Sequence, residues 1–238
     1  PVIASTYNEP LITAEWAVQV LAPAKERGLV GAFISNGNAT PQALDFIRPY
    51  VQLYKVDLKT FDDLRYRQLG GQLPNVLRTI RQLHQRGFWL EVVTLIIPGF
   101  NDSSDELAAM AGFLASISPD IPWHVTAFHS DYKMDRTPST PIDTLLRACD
   151  LGERAGLRYI YAGNRPGQTA KWENTRCPNC RATLIERHGF IVRQNRLHHG
   201  RCPDCQTPIP GFWDQSTFIL QQNMGTPHWL TNPPESHP

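Results

Sequence analysis

Six apolar stretches of strand character alternate with amphipathic helical stretches over the first 163 residues, and that alternation limits the fold more than any other feature of the chain. Strands met in strict succession with helices pair in parallel through right-handed crossovers, because a tight turn cannot join two parallel neighbours. Residues 2–7 read as the first strand, ending in Asn8-Glu9-Pro10. A helical stretch follows, with Ile12, Trp16, Val20 and Ala24 expected on one face and Ala17 and Leu21 beside them; Pro23 should kink it or end it early. Leu29 to Ile34 is the next strand, and Thr40 with Pro41 marks a helix start. Val51 to Lys59, Phe88 to Ile97, Trp123 to Phe128 and Leu157 to Tyr161 are the remaining strands. Between them, Pro74 opens one helix and Ser103 with Glu106 predicts a capping box on the next. Thr140 and Pro141 start a third, whose core stripe includes Ile142, Leu145, Leu146 and Cys149.

The stretch from Val51 to Lys59 carries unusual charge for a strand in such a sheet. Side chains alternate across a strand, so Lys55, Asp57 and Lys59 share a face with Val51 and Leu53, while Tyr54, Val56 and Leu58 share the other. Burying three charges is costly unless they are paired or bind something charged. One reading is an exposed edge strand or a Lys–Asp pair that fixes register. The other is a polar site at the C-terminal end of the strand. Asn8-Glu9, Ser35-Asn36, Asp57 with Lys59, His129 and Asn164 all fall at predicted strand C-termini, the end at which parallel sheets and barrels bind ligands.

Composition excludes some classes. Twenty-three Lys and Arg against 22 Asp and Glu leave a net charge of +1, so a strong polyanion-binding surface is not expected and nucleic acid is an unfavoured partner. The chain has no apolar run of membrane-spanning length and no recognisable signal peptide, which points to a cytoplasmic protein without a membrane partner. It begins at Pro1 rather than Met, as expected of an amino-terminally truncated sequence. Four of the five cysteines form two Cys-Pro-x-Cys pairs, Cys177/Cys180 and Cys202/Cys205, around a predicted hairpin. Four thiolates spaced in this way close a tetrahedral site for zinc, with rubredoxin-like iron as the alternative. The expected organisation is an α/β barrel-like domain over residues 1–163, a polar linker over 164–176, a four-cysteine zinc ribbon over 177–213 and a disordered tail over 214–238.

Taken in order, Tyr7-Asn8-Glu9-Pro10, Ser35-Asn36-Gly37, Val56-Asp57-Leu58-Lys59, Ile97-Pro98-Gly99-Phe100-Asn101-Asp102, the stretch Trp123 to Met134 and the closing cysteine pairs resemble the radical S-adenosylmethionine enzymes of the AmmeMemoRadiSam system. Those enzymes are similar to the activating enzymes of pyruvate formate-lyase. The resemblance runs from about residue 2 to residue 213 and implies a partial (β/α) barrel that binds S-adenosylmethionine and a [4Fe–4S] cluster, with reductive cleavage to a 5′-deoxyadenosyl radical for hydrogen abstraction. It implies cofactor-binding roles for Asn8 and Glu9 at the methionyl amino group, Asp57 and Lys59 at the carboxylate and ribose, Ser35 and Asn36 at the neighbouring strand end, and His129 near the nucleoside. By analogy it also implies an electron donor and a protein target of the glycyl-radical type. The family's Cys-x3-Cys-x2-Cys cluster motif does not occur in this chain. A truncated radical enzyme is therefore weighed against a clusterless barrel that binds a partner through its zinc ribbon.

Overall fold

The computed structural model describes residues 1–213 and 218–223. Six strands form one sheet in the order β1 (Val2–Ser5), β2 (Val30–Ser35), β3 (Leu53–Asp57), β4 (Trp89–Ile96), β5 (Trp123–Ala127) and β6 (Ile160–Gly163). The pairs β1–β2, β2–β3, β4–β5 and β5–β6 are parallel, as the alternation requires. The helices are α1 (Ala14–Glu26), α2 (Pro41–Ile47), α3 (Asp63–Gln68), α4 (Leu73–Gln85), α5 (Ser104–Ile117) and α6 (Ile142–Arg154). The described residues form two compact units, one of residues 1–58, 63–91 and 223, the other of residues 59–62, 92–213 and 218–222.

In the first unit, Phe33, Leu44, Ile47, Tyr54, Val56, Ile80 and Leu83 are buried. Gln52 links β2 and β3 by accepting the Gly31 N–H at 2.8 Å through its side chain while its own N–H donates to the Gly31 carbonyl at 2.9 Å. Thr40 caps α2 by accepting the Ala43 N–H. Helix α1 differs from expectation. Its buried residues are Ala14, Ala17, Leu21 and Ala24, whereas Ile12, Trp16 and Val20 are exposed. The buried stripe is the one made of small residues plus Leu21, which lets the helix lie close to its neighbours. Pro23 sits inside α1, which runs on to Glu26. Helix α3 was not anticipated. Its Asp63 accepts the Leu73 N–H, and its Tyr66 hydroxyl donates to the Asp57 carbonyl, so tertiary contacts hold a helix of only 6 residues that would be marginal alone.

In the second unit, Trp123 is fully buried and donates its indole N–H to Thr94 Oγ1 at 3.0 Å. Ser103 caps α5 by accepting the Glu106 N–H, but only half of the capping box forms. The Glu106 carboxylate instead accepts the Thr60 hydroxyl and the Phe61 N–H. Thr140 behaves similarly: its buried hydroxyl donates to the Ile96 carbonyl and accepts the Phe128 N–H, and Pro141 takes the cap position of α6. Cys149 is buried on α6, as its stripe predicts.

The stretch 164–176 is well packed. It contains a short 3-10 turn, Ala170–Glu173, and β7 (Thr175–Arg176), with Thr169, Trp172, Glu173 and Thr175 buried. Glu173 fastens it by accepting the N–H groups of Gly167 at 2.6 Å and Gly189 at 3.0 Å. Strands β7, β8 (Thr183–His188) and β9 (Ile191–Asn195) make an antiparallel sheet. Tyr159, Cys177, Leu184, Ile185, Cys202 and Ile209 form one buried cluster, so the cysteine module shares a core with the residues that lead into β6. Most of the expected tail, 214–217 and 224–238, lies outside the described residues. Within it, β11 (Phe218–Ile219) pairs antiparallel with β10 (Gly211–Phe212), and the Gln222 N–H donates to the Asp120 carboxylate.

Candidate functional site

Glu9 follows β1, and Ser35 ends β2, which is its parallel neighbour. Glu9 Oε1 accepts the Ser35 hydroxyl at 2.8 Å and the Leu11 N–H at 3.1 Å, and Oε2 accepts the Asn36 N–H at 2.7 Å. A carboxylate bound by three donors is a fixed anion whose remaining lone pairs can receive a cationic group. The turn after β2 depends on Gly37. Its φ is +76°, and a Cβ there would sit 2.6 Å from Val56 Cγ1, so only glycine fits. The Gly37 N–H in turn donates to Ser35 Oγ at 3.0 Å. Tyr54 lies beside this cluster with a buried hydroxyl that makes no well-formed hydrogen bond. Burial pushes that hydroxyl's pKa up, the Ser35 hydroxyl offsets part of the rise, and the Glu9 charge adds to it. The structure thus joins three of the four predicted residues at these two strand ends, Glu9, Ser35 and Asn36. Asn8 is exposed beside them.

Asp57 ends β3, and its carboxylate pairs with Lys55 at 2.5 Å, both side chains being about one-quarter to one-third exposed at 25% and 31%. The Lys–Asp pair read as one alternative from sequence is therefore formed, while Tyr54, Val56 and Leu58 fill the opposite, buried face. In the second unit the Lys59 backbone is held by Asn101. This fully buried side chain donates from Nδ2 to the carbonyls of Lys59 at 2.6 Å and Leu95 at 2.8 Å and accepts the Ile97 N–H at 2.7 Å. In the sequence Asn101 stands out only as part of the Ile97–Asp102 motif; its burial and its three backbone partners exist only in the folded chain. His129 is exposed after β5 and stacks on Phe128 with ring centres 6.4 Å apart. Asn164, with φ +64°, donates to the Ala127 carbonyl, which ties the end of β6 to the end of β5.

The four module cysteines form a metal-binding site. Their sulfur atoms all lie within 4.8 Å of one another, with Cys177–Cys205 at 3.5 Å and Cys180–Cys202 at 3.6 Å. Metal–sulfur bonds of about 2.3 Å in a tetrahedron place sulfurs about 3.8 Å apart, so the set fits one ion with no open position. The two knuckles have the same backbone. Arg181 N–H donates to the Cys177 carbonyl and Gln206 N–H to the Cys202 carbonyl, and Arg181 and Gln206 share a positive φ of 64° and 60°. Cys177 N–H bonds the Ala182 carbonyl as Cys202 N–H bonds that of Thr207. The hydroxyl and N–H of Thr207 pull the Cys205 thiol down to about 5. The Ala182 N–H pulls Cys180 down as well, but desolvation and the neighbouring sulfurs outweigh it and hold that thiol at about 12. Four sulfurs so close cannot all ionise without a cation among them.

An open parallel α/β sheet with a four-cysteine metal site defines the class of the protein. A domain of a pyruvate-formate lyase-activating enzyme from Bacteroides vulgatus has this fold, with a TM-score of 0.60 at 20% identity over 68% of this chain and 98% of that one. No family model matches the chain. Among known proteins it is 37% identical over 212 residues to an uncharacterized protein of Methanocaldococcus jannaschii, covering 88% of this chain and 62% of that protein. It is 28% identical over 123 residues to the isethionate sulfite-lyase activating enzyme of Oleidesulfovibrio alaskensis (49% of this chain, 40% of that enzyme). It is likewise 28% identical over 108 residues to the choline trimethylamine-lyase activating enzyme of the same organism. The relatives with named roles are activating enzymes, and this chain spans less than two thirds of each of these proteins.

Proposed function

We propose that this chain is the larger part of a radical S-adenosylmethionine enzyme of the activating-enzyme kind, and that Glu9 receives the cofactor's methionyl ammonium. The observation that carries this reading is the Glu9 carboxylate, fixed by Ser35, Asn36 and Leu11 at the C-terminal ends of two parallel strands. A zwitterionic sulfonium ligand needs an acceptor for its ammonium and a cation for its carboxylate. Asn8 and Glu9 supply the first and Ser35 and Asn36 hold Glu9 in position, while by the resemblance Asp57 and Lys59 take the carboxylate and ribose and His129 lies near the nucleoside. When bound beside a reduced [4Fe–4S] cluster, S-adenosylmethionine supplies a 5′-deoxyadenosyl radical for hydrogen abstraction.

The cysteines of this chain do not fit that cluster. Four are gathered at the knuckle site and Cys149 is buried in α6. On the radical-enzyme reading the cluster ligands come from outside these 238 residues; the chain covers 62% and 40% of the two relatives. The finer assignment to the AmmeMemoRadiSam system rests on motif order, and a glycyl-radical type of target on analogy with the activating enzymes; zinc at the knuckles rests on the closed four-sulfur geometry. Among the described residues, no helix is long and apolar enough to cross a membrane.

The test has two arms. Equilibrium dialysis should detect S-adenosylmethionine bound to this chain and lost on Glu9→Ala. The full-length protein, reconstituted without oxygen and reduced, should release 5′-deoxyadenosine. Failure of both would leave the second reading, a binding module that docks a partner through the cysteine module. That reading is favoured by one observation: Phe190 stands fully exposed at the β8–β9 turn, with Ile191 and Val192 at 66% and 54% exposure beside it.

A further inference from the structure

A shallow concavity, open to solvent, lies within the second unit beside the cysteine knuckles. Arg158, Lys171, Arg176 and Arg181 line it with a single carboxylate, that of Glu153. Glu153 is shared, at 3.3 Å from Lys171 Nζ and 3.0 Å from Arg181 Nη1. Arg158 pairs with the buried Asp120 at 3.0 Å. Among these side chains alone, four cations stand against the two carboxylates of Glu153 and Asp120. Like charges are gathered this way only at a cost, which a bound anion would remove.

Three residues of the lining also hold donor groups that lack acceptors. Arg176 Nε is fixed on the Arg181 carbonyl at 3.0 Å, and its two Nη groups have no acceptor among the described residues. Asn174 uses Oδ1 to accept the Arg187 N–H, which leaves its amide nitrogen unused. The Tyr159 hydroxyl is buried without a partner. Tyr161 and Trp172 also line the concavity, and Lys171 Nζ sits 4.2 Å over the Trp172 ring.

We infer that this concavity is an oxyanion site, separate from the strand ends that carry Glu9, and that it takes a phosphate group, free or as a phosphomonoester. A guanidinium held by its Nε presents both Nη groups as a fork that matches phosphate geometry. At neutral pH a phosphate monoester carries about 1.5 to 2 negative charges, against one for a carboxylate, and so matches the excess charge.

The test uses the metal-loaded chain at constant ionic strength. Inorganic phosphate, ribose 5-phosphate and acetate are titrated calorimetrically. Phosphate should bind one to one and more tightly than acetate. Arg176→Gln should weaken it by about tenfold or more, the loss of a charge-assisted hydrogen bond. Lys171→Gln, which lies outside both Cys-Pro-x-Cys turns, should weaken it severalfold. Arg193→Gln, on exposed β9, should leave it unchanged. Equal metal content in all variants shows that the knuckles are intact. Tighter ribose 5-phosphate than phosphate assigns the site to a phosphomonoester, and the reverse order assigns it to the free anion. Absence of saturable phosphate binding, or equal affinity in Arg176→Gln and the parent, would overturn the inference. So would a short oligonucleotide that binds far more tightly than either probe and is lost with Arg176→Gln, since the phosphate would then belong to a nucleic acid.

Discussion

Asn101 is the side chain whose loss the structure prices most clearly. It is fully buried and its amide makes three hydrogen bonds to backbone, two donated and one accepted. Asn101→Ala would orphan the Lys59 and Leu95 carbonyls and the Ile97 N–H together. A typical intramolecular hydrogen bond contributes about 1 kcal/mol net, and an orphaned buried group costs about 1–3 kcal/mol. Three such groups, with entering water recovering part of the loss, give a destabilisation of about 3 kcal/mol. For a chain of this size that lowers Tm by roughly 6–12 °C. Asn101→Asp is the sharper companion: it keeps the shape but turns a donor into an acceptor facing two carbonyls, so at neutral pH it should cost at least as much as alanine. Urea unfolding followed by tryptophan fluorescence reads both. An unfolding free energy for either variant within about 1 kcal/mol of the parent would refute the hub role assigned to Asn101. The change should also release the Lys59 backbone, so S-adenosylmethionine affinity is expected to fall with stability.

Other expectations concern the two sites and the packed 164–176 segment. Glu9→Gln keeps the shape but removes the charge, and should weaken S-adenosylmethionine binding by about tenfold or more while leaving Tm within a few degrees, read by dialysis and calorimetry. Chelation should release one metal ion per chain and make four thiols fast-reacting toward a disulfide reagent, while Cys149, buried and with its thiol pushed up by that burial, stays slow; an unchanged thiol count after chelation would contradict the four-sulfur site. Burial pulls the Glu173 carboxyl up from its ordinary 4.5, but the N–H groups of Gly189 and Gly167 and the Thr169 hydroxyl outweigh that and hold it lower. A depressed carboxyl contributes stability that is present above the unfolded value and is lost as pH falls through the folded one. The stability gap between the parent and Glu173→Gln should therefore be constant above about pH 5 and close below pH 4.5; a gap that persists in acid would exclude this linkage.

The alternation of strand and helix was legible because it is local. Period-2 and period-3.6 patterns, Thr40 before Pro41 and Ser103 before the fifth helix each act over a few residues, and the parallel sheet follows from their order. The cysteine site was legible for the same reason, since two Cys-Pro-x-Cys turns carry their own backbone geometry wherever they fold. Which face of α1 is buried was not, because Ile12 and Trp16 are more apolar than Ala14 and Ala17 and only the close approach of neighbouring elements selects the smaller stripe. The same limit applied to Glu106 and Thr140. Their sequence contexts predict caps, yet their side chains bond groups 45 and 44 residues away, at Phe61 and Ile96.

By itself, then, the sequence determined the number and order of strands, the ends at which polar residues collect and the four sulfur ligands. Tertiary structure decided which of those polar residues meet. Glu9, Ser35 and Asn36 come together because β1 and β2 are parallel neighbours in matching register, and Lys55 takes Asp57 because both point from one face of β3. It also decided that residues 164–176 pack rather than float, through one buried carboxylate and its three donors. A hydrogen bond between residues far apart in the chain leaves no periodic trace in the sequence, and its partners are fixed only once the strands have chosen their neighbours.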